Sequence, residues 1–235
     1  MKAVILNSGM GRRMGEYTEN QPKCMVPLLD ETIIEMQLKQ LYRAGIREAV
    51  ITTGPFSDRL EQHVKSLGLP MSFSFIHNPE YEDTNYIYSL FLAEKLLHDD
   101  ILLLHGDLVF DGSIPNGMIT FEKSCMAVST VCELPDKDFK AVRKDGRIIK
   151  VGTEFFENAV SAQPLYKFFR EDWEKWLEGI GRFVRSGMVS CYAENALNEI
   201  GEEVELYPYD YGYALCQEVD DKEDLASVRE KLKKR

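Results

Sequence analysis

Short apolar runs alternate with amphipathic segments through the first half of the chain. In the runs, of which KAVIL at residues 2–6 is typical, apolar residues occupy successive positions, which indicates strands buried on both faces. The segments between them repeat apolar residues at helical spacing. The predicted strands are 2–6, 47–53, 71–76 and 101–105, and the predicted helices are 33–44, 57–67 and 86–97. This alternation predicts an α/β fold, with a Rossmann-like, mostly parallel mixed sheet flanked by helices.

The second half of the chain changes rhythm. A strand-like run at 125–131 is followed by Asp145-Gly146 between two short strand-like stretches, which is a strong hairpin signal. Further segments are predicted as helices at 164–178, 190–200 and 221–233 and as an extended stretch at 204–209. No stretch has the composition of a linker. We therefore predict a single domain over residues 1–235, made of a half at 1–120 and a smaller C-terminal half at 121–235.

The composition narrows the class of protein. The 235 residues carry a formal net charge of −11, which disfavours nucleic acids and anionic membranes as partners, because both require a basic surface. The five cysteines are scattered without a C-x-x-C pair, which argues against a disulfide framework and a zinc site. The N-terminal apolar run is too short for a signal peptide, and no stretch is long enough to span a bilayer, so we expect a cytoplasmic protein.

A glycine-rich turn follows the first predicted strand, with glycines at positions 9, 11 and 15. In a dinucleotide-binding fold the helix begins inside such a turn, and an acidic residue closes the second strand about 20 residues later. Here the next predicted helix begins only at Ile33, and Asp30 lies in a turn, LLDET. The pattern therefore disfavours a nicotinamide-dependent oxidoreductase.

Three cations accompany this turn. Arg12 and Arg13 lie within it, and Lys23 follows shortly after it. The N–H groups of a glycine loop combined with such cations suit a triphosphate. An acidic protein also needs a local cluster of cations, or a metal ion, to bind phosphates. The turn is therefore predicted to be a triphosphate site.

The longer string KAVILNSGMGRRM…TENQPKCMVPL resembles the signature of the nucleotidyltransferase superfamily, in which a strand and a glycine turn precede a Pro-Lys pair. HNPEYEDTNYIYSLFLA at 77–93 and ILLLHGDLVFD at 101–111 resemble the small cytidylyltransferases that activate phosphocholine, related phosphorylated amines or phosphonates. With YAEN at 192–195 and EVDDKEDL at 218–225, the resemblance covers nearly the whole chain. It implies that residues 1–120 bind the nucleotide and that residues 121–235 bind the acceptor.

The resemblance assigns nucleotide binding to the turn and to the end of the second strand. Lys23 and Arg13 would hold the β and γ phosphates and stabilise the charge on the leaving pyrophosphate, Lys as a point charge and Arg as a fork. Asn7 and Ser8 stand where the family usually has two alanines, and Arg12 stands where a small hydroxyl residue is common, so the choice among CTP, UTP and dTTP stays open. The nucleotide-binding candidates are Leu6, Asn7, Ser8, Gly9, Gly11, Arg12, Arg13, Lys23, Thr53 and Gly54.

The expected chemistry depends on positioning and charge neutralisation, because the acceptor is already an anion and needs no strong base. The resemblance implies Mg²⁺, a hard cation that takes carboxylate and phosphate oxygens. Asp107 follows a buried strand, so we expect its carboxylate at the carboxyl edge of the sheet, as a metal ligand and as a catalytic residue with Lys23 and Arg13. Two candidates stay open for the second ligand: Glu194, which is preferred, and Asp220.

The acceptor-binding candidates cluster in two stretches of the sequence. Aromatic faces recognise a quaternary ammonium, and Tyr86, Tyr88 and Tyr192 could supply them. Asn85 belongs to a T-N pair whose asparagine faces the active site in the family that this chain resembles. His105 is interpreted as structural, since the chemistry requires no histidine.

The predicted function is Mg²⁺-dependent transfer of CMP from CTP to phosphocholine, or to a similar small phosphorylated amine or phosphonate, with release of pyrophosphate. Two alternatives are a sugar-1-phosphate nucleotidylyltransferase using UTP or dTTP, and a non-catalytic nucleotide-binding regulator. The sequence leaves open whether two copies associate as a homodimer.

Overall fold

A computed structural model describes residues 1–234, and strands form the centre of the molecule. The strands are β1 Lys2–Asn7, β2 Glu48–Thr53, β3 Ser72–His77, β4 Ile101–His105, β5 Leu108–Phe110, β6 Ser124–Ser129, β7 Lys140–Lys144, β8 Arg147–Gly152, β9 Ala159–Phe168, β10 Leu206–Asp210 and β11 Cys216–Glu218. Nine of them form one sheet in the order β10-β6-β9-β4-β1-β2-β3, with β7 and β8 attached through β9.

Helices cover both faces of this sheet. They are α1 Ile33–Arg43, α2 Ser57–Ser66, α3 Tyr86–Ala93, α4 Ser113–Thr120, α5 Arg170–Arg185, α6 Ala193–Glu199 and α7 Lys222–Lys233. Alternate residues of β1 point to opposite faces of the sheet. Val4 packs in the core with α3, α5 and α6, and Ile5 packs in the core with α1, α2 and α4. Helix α7 packs against a third, smaller cluster that contains Met14 and Ile33. Within residues 1–234, every helix is too short or too polar to span a bilayer.

The direction of the strands confirms the predicted mixed, mostly parallel sheet. Strands β4, β1, β2 and β3 are parallel, β10 is parallel to β6, and β9 runs antiparallel to both β4 and β6. The parallel strands therefore end at a common edge, where Asn7, Thr53 and His105 lie. Ligands bind at this edge in open α/β sheets.

A second, two-stranded ribbon extends this edge. Strands β5 and β11 are antiparallel, with Leu108 opposite Glu218, and the N–H of Val219 donates to the carbonyl of Asp107 at 3.0 Å. The ribbon joins the middle of the chain to its C-terminal region. It thereby places the residues that precede β5 beside those that follow β11.

One predicted helix is wrong in its first part. The segment 164–178 begins as the end of strand β9, and helix α5 starts only at Arg170. The sequence AVSAQPLYKF is buried along almost its whole length, and Pro164 lies where the pairing of β9 with β6 is irregular. A proline is tolerated in a sheet at such a bulge, so its presence did not exclude a strand. The segment predicted as a helix over 190–200 is helical only over Ala193–Glu199.

Candidate active site

A cleft of about 640 Å³ opens at the carboxyl edge of the parallel strands. The glycine turn forms one side of it. Asn85 and Tyr86 at the start of α3, together with residues 137–139 and Thr153, form another side. We call Lys23, Asp107, Glu218 and Asp220 its floor. Its cations are Arg12, Arg13, Lys23 and Lys137, and its carboxylates are Asp107, Asp138, Glu218 and Asp220. Charges of both signs therefore face one another across a single cavity.

The glycine turn is shaped by one position that a side chain would disturb. Gly11 has φ +62, a left-handed conformation, and a Cβ there would lie 3.1 Å from the Thr18 side chain and 3.2 Å from Lys23 Cβ. The Thr18 hydroxyl donates to the carbonyl of Gly11 at 2.9 Å. The turn thus folds back on itself, and Arg12 and Arg13 project from it as exposed side chains.

Lys23 lies between two carboxylates on the cleft floor. Its Nζ is 2.6 Å from Asp107 Oδ2 and 2.6 Å from Asp220 Oδ1, and Arg13 Nη2 lies 2.9 Å from the same Asp220 oxygen. Burial lowers the pKa of Lys23, but the two carboxylates outweigh it and hold that pKa above its ordinary value. Burial raises the pKa of Asp107, but Lys23 and then His105 outweigh it, so this pKa is lowered. Lys23 and Asp107 are therefore charged together at neutral pH.

Asp107 is fixed by the backbone on both sides of it. Gln37 of helix α1 donates from Nε2 to the carbonyls of His105 at 2.9 Å and of Leu108 at 2.8 Å, which bracket Gly106 and Asp107. A Cβ at Gly106 would lie 1.7 Å from Asn7 Oδ1, so any other residue at this position would displace the Asn7 side chain. The helix is itself set at its start by a capping box between Thr32 and Glu35.

One oxygen of this aspartate has no partner. Asp107 Oδ1 is buried and accepts no hydrogen bond from any residue in 1–234. His105, Asp107 and Glu218 each present one atom that could bind a metal ion, and these atoms lie within 4.8 Å of one another. His105 Nδ1 is 3.0 Å from Glu218 Oε1. An unsatisfied buried carboxylate oxygen among such groups is the arrangement that a divalent cation can complete.

The environment of Glu218 favours its neutral form. Burial raises the pKa of Glu218 to about 7, with the nearby Asp107 and Asp220 adding to the shift and the hydrogen bond of His105 opposing it. Burial lowers the pKa of His105, but the contact with Glu218 outweighs burial, and the pKa of His105 is raised. The pKa values of both members of this buried pair are therefore raised.

Aromatic rings form the wall beside His105. The rings of Tyr86 and Tyr192 are stacked with centroids 5.9 Å apart, and Phe139 meets Tyr192 edge-on at 5.4 Å. The ring of Tyr86 also lies 4.8 Å from that of His105. Asn85 Oδ1 accepts from the N–H of Tyr86 at 2.8 Å and caps helix α3. Tyr86 is therefore held at the start of a helix.

Glu194 lies behind this wall. It is 1% exposed, and its carboxylate accepts hydrogen bonds from the Tyr86 hydroxyl and, at 2.8 Å, from the Tyr166 hydroxyl. Burial, followed by the nearby Glu194, raises the pKa values of both tyrosines, so they stay protonated and donate. Glu194 therefore fixes Tyr86 in this structure and does not line the cleft.

The first 140 residues carry the family signal. Residues 2–141 match the sequence profile of the family described as "Nucleotidyl transferase". The chain belongs to the nucleotidyl transferase family. The resemblance seen in the sequence is therefore confirmed, and the chain is assigned to a family of enzymes.

Similar proteins of this family act on several acceptors. The chain is 25% identical over 242 residues to the choline-phosphate cytidylyltransferase of Streptococcus pneumoniae, covering 99% of each chain. It is 26% identical over 159 residues to the CTP:phosphoglutamine cytidylyltransferase of Campylobacter jejuni, covering 64% of this chain and 62% of that protein. It is 30% identical over 114 residues to the CMP-5'-(3-aminopropyl)phosphonate synthase of Streptomyces rubellomurinus, covering 48% of this chain and 18% of that protein.

A solved structure supports the fold of this nucleotidyl transferase. The CTP:phosphocholine cytidylyltransferase from Streptococcus pneumoniae superposes with a TM-score of 0.80 at 22% identity, covering 98% of both chains. At this level of identity the likeness establishes the architecture, including the mixed sheet with its flanking helices.

The structure gathers most of the predicted site residues of this nucleotidyl transferase into one cleft. Those that line it are Gly9, Gly11, Arg12, Arg13, Lys23, Asn85, Tyr86, Asp107, Tyr192 and Asp220. Other candidates lie outside its lining: Leu6, Asn7, Ser8, Thr53, Gly54, Tyr88 and Glu194. The Tyr88 hydroxyl donates to Glu80 at 3.0 Å, and the Ser8 hydroxyl lies 2.6 Å from that of Ser89, so both have partners inside the protein.

Sequence reasoning missed several residues of the cleft. They are His105, Lys137, Asp138, Phe139, Thr153 and Glu218. Glu218 reaches the site through the pairing of β5 with β11, which joins residues more than a hundred positions apart, and no local pattern indicates that pairing. His105 is the last residue of the buried strand from which Asp107 was predicted. The sequence therefore also indicated that His105 lies at the edge of the sheet.

Gln37→Met tests whether the bracket around Asp107 matters for activity. Methionine keeps the volume of the side chain and removes the donor to both carbonyls, so we expect the free energy of unfolding to fall by about 1–3 kcal/mol. Displacement of Asp107 should also lower turnover by roughly 10- to 100-fold. Thermal unfolding and pyrophosphate release measure the two effects.

Gln40→Met is the matched control. Gln40 lies one turn further along α1 and donates to the carbonyl of Phe110 at 3.0 Å, at the far end of β5. We expect a comparable loss of stability with turnover within about twofold of the parent. Equal losses of turnover in the two variants would show that Gln37 does not position Asp107.

Proposed function

We propose that the protein transfers CMP from CTP to a small phosphorylated amine, such as phosphocholine, or to an aminophosphonate, and releases pyrophosphate. The observation that carries this proposal is Lys23, held at 2.6 Å between Asp107 and Asp220, in a cleft that also contains the aromatic wall. The named relatives support it, because three of them handle a cytidine nucleotide and a choline phosphate, phosphoglutamine or aminoalkylphosphonate.

The turn supplies the groups that would bind the triphosphate. Lys23 and Arg13 both form ion pairs with Asp220, so both side chains point to the cleft floor. When nucleotide binds, their charges are available to the β and γ phosphates, and they stabilise the charge that develops on pyrophosphate. The acceptor oxygen is already anionic, so the chain needs only to position it in line with the leaving group.

The residues present fit a divalent cation. Asp107 Oδ1 is buried without a partner in the described chain, and Asp220 lies across Lys23 from Asp107. We propose that Asp107 and Asp220 hold Mg²⁺, a hard cation that prefers oxygen ligands. The bound ion would neutralise phosphate charge and orient the reacting phosphoryl group. Glu194, preferred from the sequence, is committed to two buried tyrosines, so we propose a positioning role for it instead.

The aromatic wall suits the cationic end of the acceptor. Tyr86, Tyr192 and Phe139 present ring faces and edges within one cluster, and Glu218 and Asp138 line the same cleft. Ring faces and a nearby carboxylate together bind a quaternary or primary ammonium. Asn85, at the start of α3, is placed to contact the acceptor. Leu6, Asn7, Ser8, Thr53 and Gly54 remain candidates for contacts with the base, at the back of the glycine turn.

Pyrophosphate release across a substrate panel tests the function. The panel crosses CTP, UTP, dTTP and ATP with phosphocholine, phosphoethanolamine, 2-aminoethylphosphonate and glucose-1-phosphate, with and without Mg²⁺. We expect Mg²⁺-dependent release with CTP and an amine-bearing acceptor. Release confined to UTP or dTTP with glucose-1-phosphate would instead support the sugar alternative, and nucleotide binding without release in any pair would support the regulator.

Lys23→Met tests the phosphate clamp. Removal of the ammonium should lower turnover by about 10²–10³-fold, because no other cation of the floor contacts both carboxylates. The control is Lys39→Met, which removes a surface cation paired with Glu31 on the outer side of α1. The control should retain parental turnover. Normal turnover in Lys23→Met would contradict the assignment.

Two isosteric variants separate the candidate metal ligands. Asp220→Asn should raise the Mg²⁺ concentration for half-maximal activity by about tenfold or more, because it removes a ligand charge. Glu194→Gln should leave that concentration within about twofold and should instead lower the free energy of unfolding by about 1–3 kcal/mol, since two buried tyrosine hydroxyls lose a charged acceptor. The reverse pattern of metal dependence would assign the ion to Glu194.

A further inference from the structure

Two lysines of the described chain are completely buried without a carboxylate within ion-pair distance. Lys140 and Lys167 are both 0% exposed, and no ion pair in residues 1–234 includes either of them. A buried ammonium is strongly unfavourable unless its hydrogens are satisfied. Each of the two satisfies them with main-chain carbonyls and one aromatic ring. Their carbonyl partners are therefore constrained as strongly as the lysines.

Lys140 lies directly behind the acceptor side of the cleft. Its Nζ donates to the carbonyls of Thr153 at 2.7 Å, Asp138 at 3.1 Å and Asp136 at 3.4 Å, and it lies 4.3 Å from the centre of the Phe156 ring. Thr153 and Asp138 both line the cleft. One ammonium thus ties together two segments of the wall that are 15 residues apart in the chain.

The segment held in this way has little regular structure of its own. Residues 133–138 belong to no helix or strand, and they lead directly into Phe139, whose ring meets Tyr192 in the aromatic wall. Lys137 and Asp138 of this segment bring a cation and a carboxylate to the cleft. The carbonyls of Asp136 and Asp138 flank Lys137, so the grip of Lys140 fixes the direction in which that segment crosses the cleft.

We propose that Lys140 is a positioning residue for the acceptor: its buried ammonium joins residues 136–138 to Thr153 and so shapes the pocket for a small phosphorylated or phosphonate amine. This inference rests on the proposed function for the identity of the acceptor. Lys140 touches no substrate in this account. It acts through the main chain of residues that do.

Lys167 provides a control of the same chemistry in another place. Lys167 lies near the C-terminal end of β9, opposite Leu102 of β4, whereas Lys140 of β7 lies opposite Ser161 near the N-terminal end of β9. Its Nζ donates to the carbonyls of Phe121 at 2.8 Å and Lys123 at 3.1 Å, and it lies 3.3 Å from the centre of the Phe169 ring. None of these partners lines the cleft. A general effect of losing a buried ammonium should appear in both lysines, whereas an effect on the acceptor should appear only in Lys140.

The test compares Lys140→Met with Lys167→Met in the full-length protein. We expect similar losses in melting temperature, because both variants leave carbonyls without donors. In steady-state kinetics with CTP and phosphocholine, Lys140→Met should raise the KM for phosphocholine by about tenfold and leave the KM for CTP within about twofold. Lys167→Met should change neither KM. Equal changes in both KM values, or a change no larger than in Lys167→Met, would overturn the proposal.

A gentler pair covers the case in which Lys140→Met does not fold. Phe156 is 53% exposed and Phe169 is 38% exposed, so leucine at either position leaves the core unchanged. Phe156→Leu removes the ring beside Lys140 and should raise the KM for phosphocholine by about two- to fivefold, while Phe169→Leu should not. If Lys140→Met does not fold, an unchanged KM for phosphocholine in Phe156→Leu would overturn the proposal.

Limited proteolysis separates this inference from the proposed function. Trypsin cleavage after Lys137, without any substrate, should be several-fold faster in Lys140→Met than in the parent or in Lys167→Met. Faster cleavage of Lys140→Met, together with a parent protein that releases no pyrophosphate, would uphold the positioning of the segment and reject the acceptor. Unchanged cleavage together with an active parent would reject the positioning and uphold the function.

Discussion

The ammonium of Lys23 between Asp107 and Asp220 is the contact on which the site depends. It joins three parts of the chain: the segment after the glycine turn, the end of the central strand β4, and the loop after β11. Two carboxylates this close repel one another unless a cation lies between them, so the floor requires a positive charge. Under the proposed function, the same requirement implies that Lys23 and Arg13 turn to the phosphates only when another cation takes their place beside the carboxylates.

The sequence predicted those features that depend on local pattern. The parallel strands, the glycine turn with Arg13 and Lys23, and Asp107 at the end of a buried strand all follow from runs of neighbouring residues. The partners of Asp107 do not, because Glu218 and Asp220 reach it through the pairing of β5 with β11. The sequence favoured Glu194 over Asp220 as the second ligand, and the burial of Glu194 against Tyr86 and Tyr166 is visible only in the structure. The helix predicted over 164–178 began too early, since the bulge that accommodates Pro164 in strand β9 is a property of the sheet.

Buried polar groups recur immediately behind the walls of the cleft. Glu194 fixes the hydroxyl of Tyr86, Lys140 fixes the carbonyls of Asp138 and Thr153, and Gln37 fixes the carbonyls on both sides of Asp107. In each case a buried polar group requires hydrogen-bond partners. The residue that supplies the partner either lines the cleft or adjoins a residue that does. The aromatic wall and the carboxylates of the cleft floor are thus supported in the same way, from different elements of the fold.

The most direct measurement is a crystal structure of the protein with CTP and Mn²⁺, located by its anomalous scattering. We expect an anomalous peak bound by Asp107 and Asp220, with Lys23 Nζ moved from the carboxylates to a phosphate oxygen. A peak bound by Glu194, or a Lys23 that still bridges Asp107 and Asp220 when the nucleotide is bound, would contradict it.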